Sequence, residues 1–169
     1  MWKTYANILG HHAADILGRV TDGGFFHTHL DEAPREQSIR ELAARIDFGG
    51  HLDEGRNKVD GYLVCGVGRL NEIRPLLADI AVHMRLDPAI LETETGPQDI
   101  LSEFLNIVIG LTGADWAEHG FEMDFSPPQI LRGQTLPTPQ PDDHSFHVVV
   151  SAMTGLQVDI VVAFNERPR

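Results

Sequence analysis

Cysteine is almost missing from this chain, which has 169 residues and a single cysteine, Cys65. One cysteine excludes an intrachain disulfide, and this fits the reducing cytoplasm, where we expect the protein to reside. Long apolar runs are missing too, since the longest, at 107–111 and 160–164, fall far short of the about 20 residues that span a bilayer. We expect Cys65 to be a small buried hydrophobe and the protein to have no membrane partner.

Basic residues are also scarce, with 13 Lys and Arg against 25 Asp and Glu and a formal net charge of −12. Lys3 and Lys58 are the two lysines. An acidic surface repels phosphate backbones and anionic lipid, so we expect no nucleic acid partner. The nine histidines are the opposite case, an abundance that the composition does not explain.

No heptad or collagen-like repeat runs through the sequence, which excludes fibrous folds. A hydrophobic share of 42% against a charged share of 22% excludes a disordered chain. A chain of this length usually folds as one domain and buries about 70% of its unfolded surface. We therefore predict a single domain over residues 1–169.

The spacing of apolar residues predicts three helices and five strands, with Asn71 as the N-cap of the second helix. Phe25 and Phe26 suggest one more short strand, and 32–40 reads as a loop or short helix. The polar stretches 49–60 and 133–143 read as a hairpin turn and a loop. The predicted helices are 2–17, about 70–85 and about 98–119. The predicted strands are 44–48, 61–67, 121–125, 146–152 and 156–164.

Hairpins, rather than long helical crossovers, join the predicted strands. This favours an α+β fold in which helices layer on an antiparallel sheet. The segment from Thr4 to Asn7 also resembles the segment from Glu103 to Asn106, each at the start of a long helix. Two related helix–strand–strand units would explain that echo, and chance explains it about as well.

The helix at 98–119 carries a polar stripe on an otherwise apolar segment. Residues three and four apart share a helix face, so Asp99, Glu103 and Asn106 line up, and Gly110 continues the stripe without a side chain. A carboxylate beside an amide can position a water and bind a lysine.

A structural explanation stands beside this functional one. Asparagine competes for backbone hydrogen bonds, so Asn106 could tie a neighbouring backbone group. Gly110 and Gly113 each cost about 1 kcal/mol within a helix, and close packing of the helix on the sheet would explain both.

Glu103-x-x-Asn106, then Gly110, then a proline about twenty residues later at Pro127 or Pro128, resembles the active helix of the CheC/CheX/FliY family of chemotaxis phosphatases. The resemblance covers about residues 40–165 and is nearest to the CheX branch. It implies a CheC-like fold and a hydrolase with Glu103 and Asn106 as its catalytic residues.

The resemblance also implies a substrate, the phospho-aspartate of a CheY-like response regulator receiver in two-component signalling. Asn106 would orient the attacking water, and Glu103 would engage the receiver's lysine. The chain would need no cofactor or metal of its own, because the Mg²⁺ would belong to the receiver. Members of the family also form homodimers through their sheets, so we expect a homodimer.

Two departures from the family pattern qualify this expectation. Leu111 and Thr112 follow Gly110 where the family often has Asn-Ala, which affects packing rather than the catalytic pair. Two-site members repeat Glu-x-x-Asn on the first helix, whereas this chain has Thr4 at the position of the glutamate. We therefore expect one site.

Two other functions stay open at this point. A CheX-like module could bind receivers or dimerise without catalysis. His27-Thr-His29-Leu-Asp31 resembles the His-x-His of metal-dependent hydrolases, with His11 and His12 as further ligands for zinc or iron. That hydrolase site belongs to a barrel of about 250 residues, which makes it the weaker alternative.

Overall fold

A computed structural model describes residues 1–21, 26–32, 41–52, 56–67, 70–131, 143–152 and 155–168. Within them lie the helices α1 (Trp2–Val20), α2 (Leu70–His83) and α3 (Gly96–Glu118), with a short 3₁₀ helix at Pro88–Glu92. The strands are β1 (Phe26–Glu32), β2 (Leu42–Leu52), β3 (Asn57–Val67), β4 (Phe121–Phe125), β5 (Gln129–Leu131), β6 (His144–Ala152) and β7 (Gln157–Pro168).

The strands form one seven-stranded sheet in the order β1-β6-β7-β3-β2-β4, with every pairing antiparallel. β5 also pairs with β2, so β4 and β5 share the same edge of the sheet. Between them, the Ser126 N–H donates to the Asp47 carbonyl at 2.8 Å, and the Ser126 hydroxyl accepts from the Asp47 N–H at 3.1 Å. The predicted α+β fold with a helix-layered antiparallel sheet is confirmed.

The helices pack on one face of this sheet. α1 contacts β1 and β6, whereas α3 contacts β2, β4 and β5. The core between these layers contains a cluster of aromatic rings, in which the Trp2 and Phe164 centroids lie 4.7 Å apart and those of Trp116 and Phe121 lie 5.5 Å apart. Cys65 is fully buried, as predicted, and so is Trp116.

The predicted hairpin turn at 49–60 is wrong in extent, because β2 runs on to Leu52 and β3 begins at Asn57. Leu52 and Val59 are buried and continue the alternation of core residues. In the sequence, Gly50 is typical of a turn. In the structure it lies within β2, where β4 approaches so closely that no side chain fits. A Cβ at Gly50 would collide with the Glu122 carbonyl oxygen.

The start of α2 also differs from the prediction. The helix begins at Leu70, so Asn71 lies inside it and is not the N-cap. The Glu41 carboxylate accepts a hydrogen bond from the Leu70 N–H at 2.8 Å, which satisfies one free donor of the first turn. The helix ends at His83, two residues before Arg85 adopts a φ of 58°.

The sequence patterns did not predict β5 or the 3₁₀ helix, which are three and five residues long. The suggested strand near Phe26 is present as the seven-residue β1. The predictions for 33–40 and for most of the 133–143 loop fall outside the described residues. Asp143 is described, and it accepts a hydrogen bond from the Asn165 amide at 2.9 Å. The proposed duplication stays a prediction.

α3 alone among the described helices is long and apolar enough to cross a membrane by length and composition. Its fully buried residues, including Phe104, Leu105 and Val108, belong to the core beneath the helix layer. Its apolarity is therefore explained by packing on the sheet.

Candidate functional site

The start of α3 is stabilised by residues suited to a helix N-terminus. Pro97 occupies the first turn, where a missing N–H costs no helical hydrogen bond. Thr95 precedes the helix, and its carbonyl accepts from the N–H groups of Gln98 and Asp99, each at 3.0 Å. The Thr95 hydroxyl donates to the Asp99 carboxylate at 3.1 Å. Asp99 therefore stabilises the helix start, where a negative charge is favoured.

The other end of α3 is tied to α1. The Trp116 indole N–H donates to the Tyr5 carbonyl at 3.0 Å, and the Tyr5 hydroxyl donates to the His119 carbonyl at 2.7 Å. Near them, His12 Nε2 lies 2.8 Å from Asp115 Oδ2. These contacts, together with the apolar face on the sheet, fix the rotation of α3 about its axis. The polar stripe must then face outward.

Glu103 and Asn106 lie on this outward side, one helical turn apart. Glu103 is exposed and Asn106 is half-buried. The Asn106 amide donates to Glu103 Oε2 at 3.5 Å, the long limit for such a bond. Both side chains are therefore held close together on a rigid helix and keep most of their hydrogen-bonding capacity for an incoming molecule.

The alternative role of Asn106, as a tie to a neighbouring backbone group, finds no support in the described residues. There the side-chain amide bonds to Glu103 rather than to the backbone. By contrast, the Thr112 hydroxyl does donate to a backbone carbonyl, that of Val108, at 2.6 Å. The polar side chain that bonds to the helix backbone is therefore that of the buried Thr112. The half-buried Asn106 side chain stays partly open to solvent.

The two glycines of α3 differ in their surroundings. A Cβ at Gly113 would lie 2.9 Å from the terminal methyl of Met123 on β4, a flexible side chain that can move aside, so packing constrains that residue only weakly. A Cβ at Gly110 would meet nothing within 4 Å, and the residue is exposed. Within the described part of the chain, packing therefore gives a weak reason for Gly113 and no reason for Gly110.

Among the described side chains, the histidines of the proposed metal site are not grouped. His29 pairs with Asp31 at 2.9 Å on β1, whereas His12 pairs with Asp115 at the side of α3. Over the described ranges, no three His, Cys, Asp or Glu side chains are arranged to hold a metal ion. The His27 side chain lies outside the described part of the structure. The histidine-based hydrolase therefore gains no geometric support.

A second polar cluster lies on the sheet face opposite the helices. The Arg45 guanidinium sits 4.6 Å from the centroid of the Tyr62 ring and also pairs with Asp47 at 2.6 Å. Burial, with a smaller contribution from the Asp143 charge, raises the pKa of Tyr62 to about 12. The phenol is therefore neutral at physiological pH, and the paired charges around it are typical of a structural network rather than a reactive site.

Two apolar side chains beside α3 were not singled out in the sequence. Phe125 on β4 and Ile130 on β5 are 43% and 37% exposed. Their partners across β2 are Phe48 and Ala44, which are buried in the core, so Phe125 and Ile130 lie on the helix-bearing face of the sheet. The alternation of Phe121, Met123 and Phe125 was the signal that could have placed Phe125 on that face.

Solved structures of the same architecture are known, although no family model matches the sequence and no curated protein is significantly similar to it. A CheC-like superfamily protein from Shewanella sp. PV-4 superposes with a TM-score of 0.70 at 16% identity, over 95% of this chain and 97% of the other. The chemotaxis protein CheX from Vibrio vulnificus gives a TM-score of 0.70 at 14% identity, over 96% and 99%.

A third structure is the complex of CheX, CheY, beryllofluoride and magnesium from Borrelia burgdorferi. It gives a TM-score of 0.66 at 13% identity, over 95% of this chain and 97% of the matched chain. Nearly full coverage in both directions means that the likeness extends over the whole fold rather than one motif. The resemblance drawn from the sequence is confirmed at the level of the fold: this chain has the CheC-like fold, which it shares with the CheX chemotaxis proteins.

Proposed function

We propose that this protein is a phosphatase that removes the phosphoryl group from the phospho-aspartate of a CheY-like receiver domain. The observation that carries the proposal is the presence of Glu103 and Asn106 together on the outward face of α3, in reach of a docked protein. The CheC-like fold, which CheX chemotaxis proteins share, supports it.

The reaction requires little from the enzyme beyond positioning a water against the acyl phosphate. An acyl phosphate is already activated, so an in-line water supplies most of what the reaction needs. The water oxygen forms the new bond to phosphorus, and the acyl oxygen leaves with its electron pair as the aspartate carboxylate. The Asn106 amide can accept from and donate to hydrogen-bonding partners, which suits it to holding that water in line.

Glu103 has a different role in this proposal. Its exposed carboxylate pairs with the lysine of the receiver site and fixes the docked receiver relative to Asn106. The Mg²⁺ that neutralises the phosphoryl oxygens belongs to the receiver, so this chain needs no metal ligand. The Borrelia complex supports the partner class, because its CheY is present with Mg²⁺ and with beryllofluoride, which stands in for the phosphoryl group.

The proposal includes the cytoplasm as the compartment and a homodimer as the assembled state. The dimer is tested by light scattering of the purified protein, with an expected mass about twice the chain's 18.7 kDa. A mass equal to one chain at micromolar concentration would contradict it.

The activity itself is tested with the CheY-like receivers of the source organism, each phosphorylated with a small phosphodonor and freed of it. We expect this protein to accelerate phosphate release from at least one of them. Binding without acceleration would instead support the non-catalytic receiver-binding module. Neither binding nor release with any receiver would overturn both.

A further inference from the structure

Ser102 lies on α3 one helical turn before Asn106. The residue is half-buried, and among the described residues its hydroxyl takes part in no hydrogen bond. A hydroxyl inside a helix often bonds to the carbonyl four residues earlier, as the Thr112 hydroxyl does with Val108 at 2.6 Å. The Ser102 hydroxyl does not, so it keeps its capacity to donate and to accept.

The geometry of α3 places Ser102 and Glu103 on opposite sides of Asn106. Successive helix residues are about 100° apart around the axis, so Ser102 lies about 40° to one side of Asn106 and Glu103 about 60° to the other. Helix side chains lean toward the N-terminus, so the Asn106 amide leans over the turn that contains both residues. The 3.5 Å contact between Asn106 Nδ2 and Glu103 Oε2 agrees with this direction.

The contact with Glu103 also decides which way the Asn106 amide is turned. An ionised carboxylate only accepts hydrogen bonds, so the amide nitrogen faces Glu103. The amide oxygen then lies on the other side, which is the side of Ser102. Along α3, Ser102 and Glu103 are the polar residues one turn from Asn106, since positions 109 and 110 are Ile and Gly. The amide oxygen and the Ser102 hydroxyl therefore flank the same space.

This space suits one water molecule. Residues four apart on a helix have Cβ atoms about 5–6 Å apart. No hydrogen bond joins the described side chains of Ser102 and Asn106 directly. Two hydrogen bonds of about 2.7–2.8 Å that meet at a water oxygen span up to about 5.5 Å, so a water can bridge the two groups.

We propose that Ser102 is a further catalytic residue, which holds the attacking water together with Asn106. The amide oxygen accepts one hydrogen of the water and the Ser102 hydroxyl oxygen accepts the other. A lone pair of the water oxygen then points toward phosphorus, whereas one hydrogen bond alone would leave the water free to turn. As the water oxygen bonds to phosphorus and the acyl oxygen leaves as the aspartate carboxylate, both hydrogens leave with the phosphate product. Ser102 keeps its own proton.

This role rests on the proposed function, and its test separates the two. A trace of a phosphorylated CheY-like receiver is mixed with increasing amounts of the full chain, and its decay gives a saturating rate and a half-saturating concentration. Ser102→Ala should lower the saturating rate about tenfold, the scale of one hydrogen bond, and leave the half-saturating concentration within about twofold. Ser102→Thr keeps a hydroxyl and should retain most of the rate. Because alanine favours a helix more than serine does, Ser102→Ala should not lower the midpoint of urea unfolding.

Thr4→Ala is the matched control. It removes a hydroxyl from α1 one turn before Asn7 and should leave both constants unchanged. A loss confined to the half-saturating concentration of Ser102→Ala would overturn the catalytic role, because the hydroxyl would then serve docking. An equal loss of rate in Ser102→Thr would also overturn it, because the shape of the side chain rather than its hydroxyl would then matter.

The remaining outcomes distinguish this role from the proposed function. If the parent protein accelerates the decay and Ser102→Ala matches its saturating rate, the phosphatase stands and the role of Ser102 is wrong. If the parent protein accelerates the decay of no receiver, the proposed function is wrong and the role of Ser102 falls with it.

Discussion

The two long helices α1 and α3 do similar structural work with different exposed faces. Both bury an apolar face on the same side of the sheet, and residues 4–7 in α1 are similar in sequence to residues 103–106 in α3. On α3 the exposed positions are Glu103 and Gly110 around half-buried Asn106. On α1 the corresponding residues are Thr4 and His11 around Asn7, all exposed. Burial constrains both helices alike, so the difference at these solvent-facing positions calls for a functional explanation.

That difference is specific in its chemistry. α1 has the amide of Asn7 without a carboxylate beside it. It also has the imidazole of His11 at the position where α3 has Gly110, which has no side chain. If a receiver recognises the pair, then α1 lacks the carboxylate that would pair with the receiver's lysine. The following variants test whether this contrast decides activity.

The largest effect is expected from removing the amide on each helix in turn. Asn106→Ala should lower receiver discharge by roughly 100-fold or more, the scale of losing one group that positions the reacting atoms. Asn7→Ala should leave the rate unchanged. Initial rates of phosphate release measure both, and circular dichroism checks the fold. Equal rates for the two variants would remove the distinction between the helices.

The carboxylate comes next in size. Glu103→Ala should weaken binding of the beryllofluoride-loaded receiver about tenfold or more, because a hydrogen bond to a charged group contributes about 1.5–3 kcal/mol. Glu118→Ala, at the exposed far end of the same helix, is the control for lost negative charge. If both changes alter the affinity equally, general electrostatics rather than a specific lysine pairing is responsible.

A comparison of glycines tests stability rather than activity. Gly110→Ala should raise the free energy of unfolding by up to about 1 kcal/mol, because its Cβ meets open space. Gly10→Ala should lower it by about 1–3 kcal/mol, because its Cβ would lie 2.9 Å from Val148 and push α1 off the sheet. Urea unfolding measures both changes. A loss of stability for Gly110→Ala would mean that the turn around it is tighter than described.

The smallest effect is expected from a variant that should not increase the rate of phosphate release at all. Thr4→Glu, made in the Asn106→Ala background, supplies the missing carboxylate on α1 beside Asn7. We expect no recovery of phosphate release, because His11 still occupies the position that Gly110 leaves open. Recovery above the Asn106→Ala rate would show that a carboxylate beside the Asn7 amide is enough to make a site on α1.

Some features of the molecule were readable from local patterns. Apolar spacing predicted α1 and α3 to within three residues, and alternation predicted β4, β6 and β7. These elements are predictable because the period of their apolar residues indicates which face is buried. The prediction of a turn at 49–60 failed because glycine is typical of turns, whereas Gly50 lies within β2 where β4 approaches closely. A contact between segments seventy residues apart leaves no local signal.

The candidate site was predictable in the same uneven way. Helical spacing placed Glu103 and Asn106 on one face, and the structure agrees. The contrast between Gly110 and Gly113 could not be read from the sequence, since both are glycines of one helix. What separates them is that the Met123 side chain of β4 lies beside Gly113, whereas a Cβ at Gly110 would meet nothing within 4 Å, and this difference is a property of the folded chain.

The most direct test of the central claim is a single-turnover measurement. A trace of one phosphorylated receiver is mixed with saturating amounts of either the parent protein or Asn106→Ala, and its decay is followed. Saturation removes differences in docking, so the rates report only what the amide does to the bound acyl phosphate. We predict fast decay with the parent and decay near the receiver's own rate with Asn106→Ala. Equal decay rates with the two proteins would contradict the assignment of Asn106.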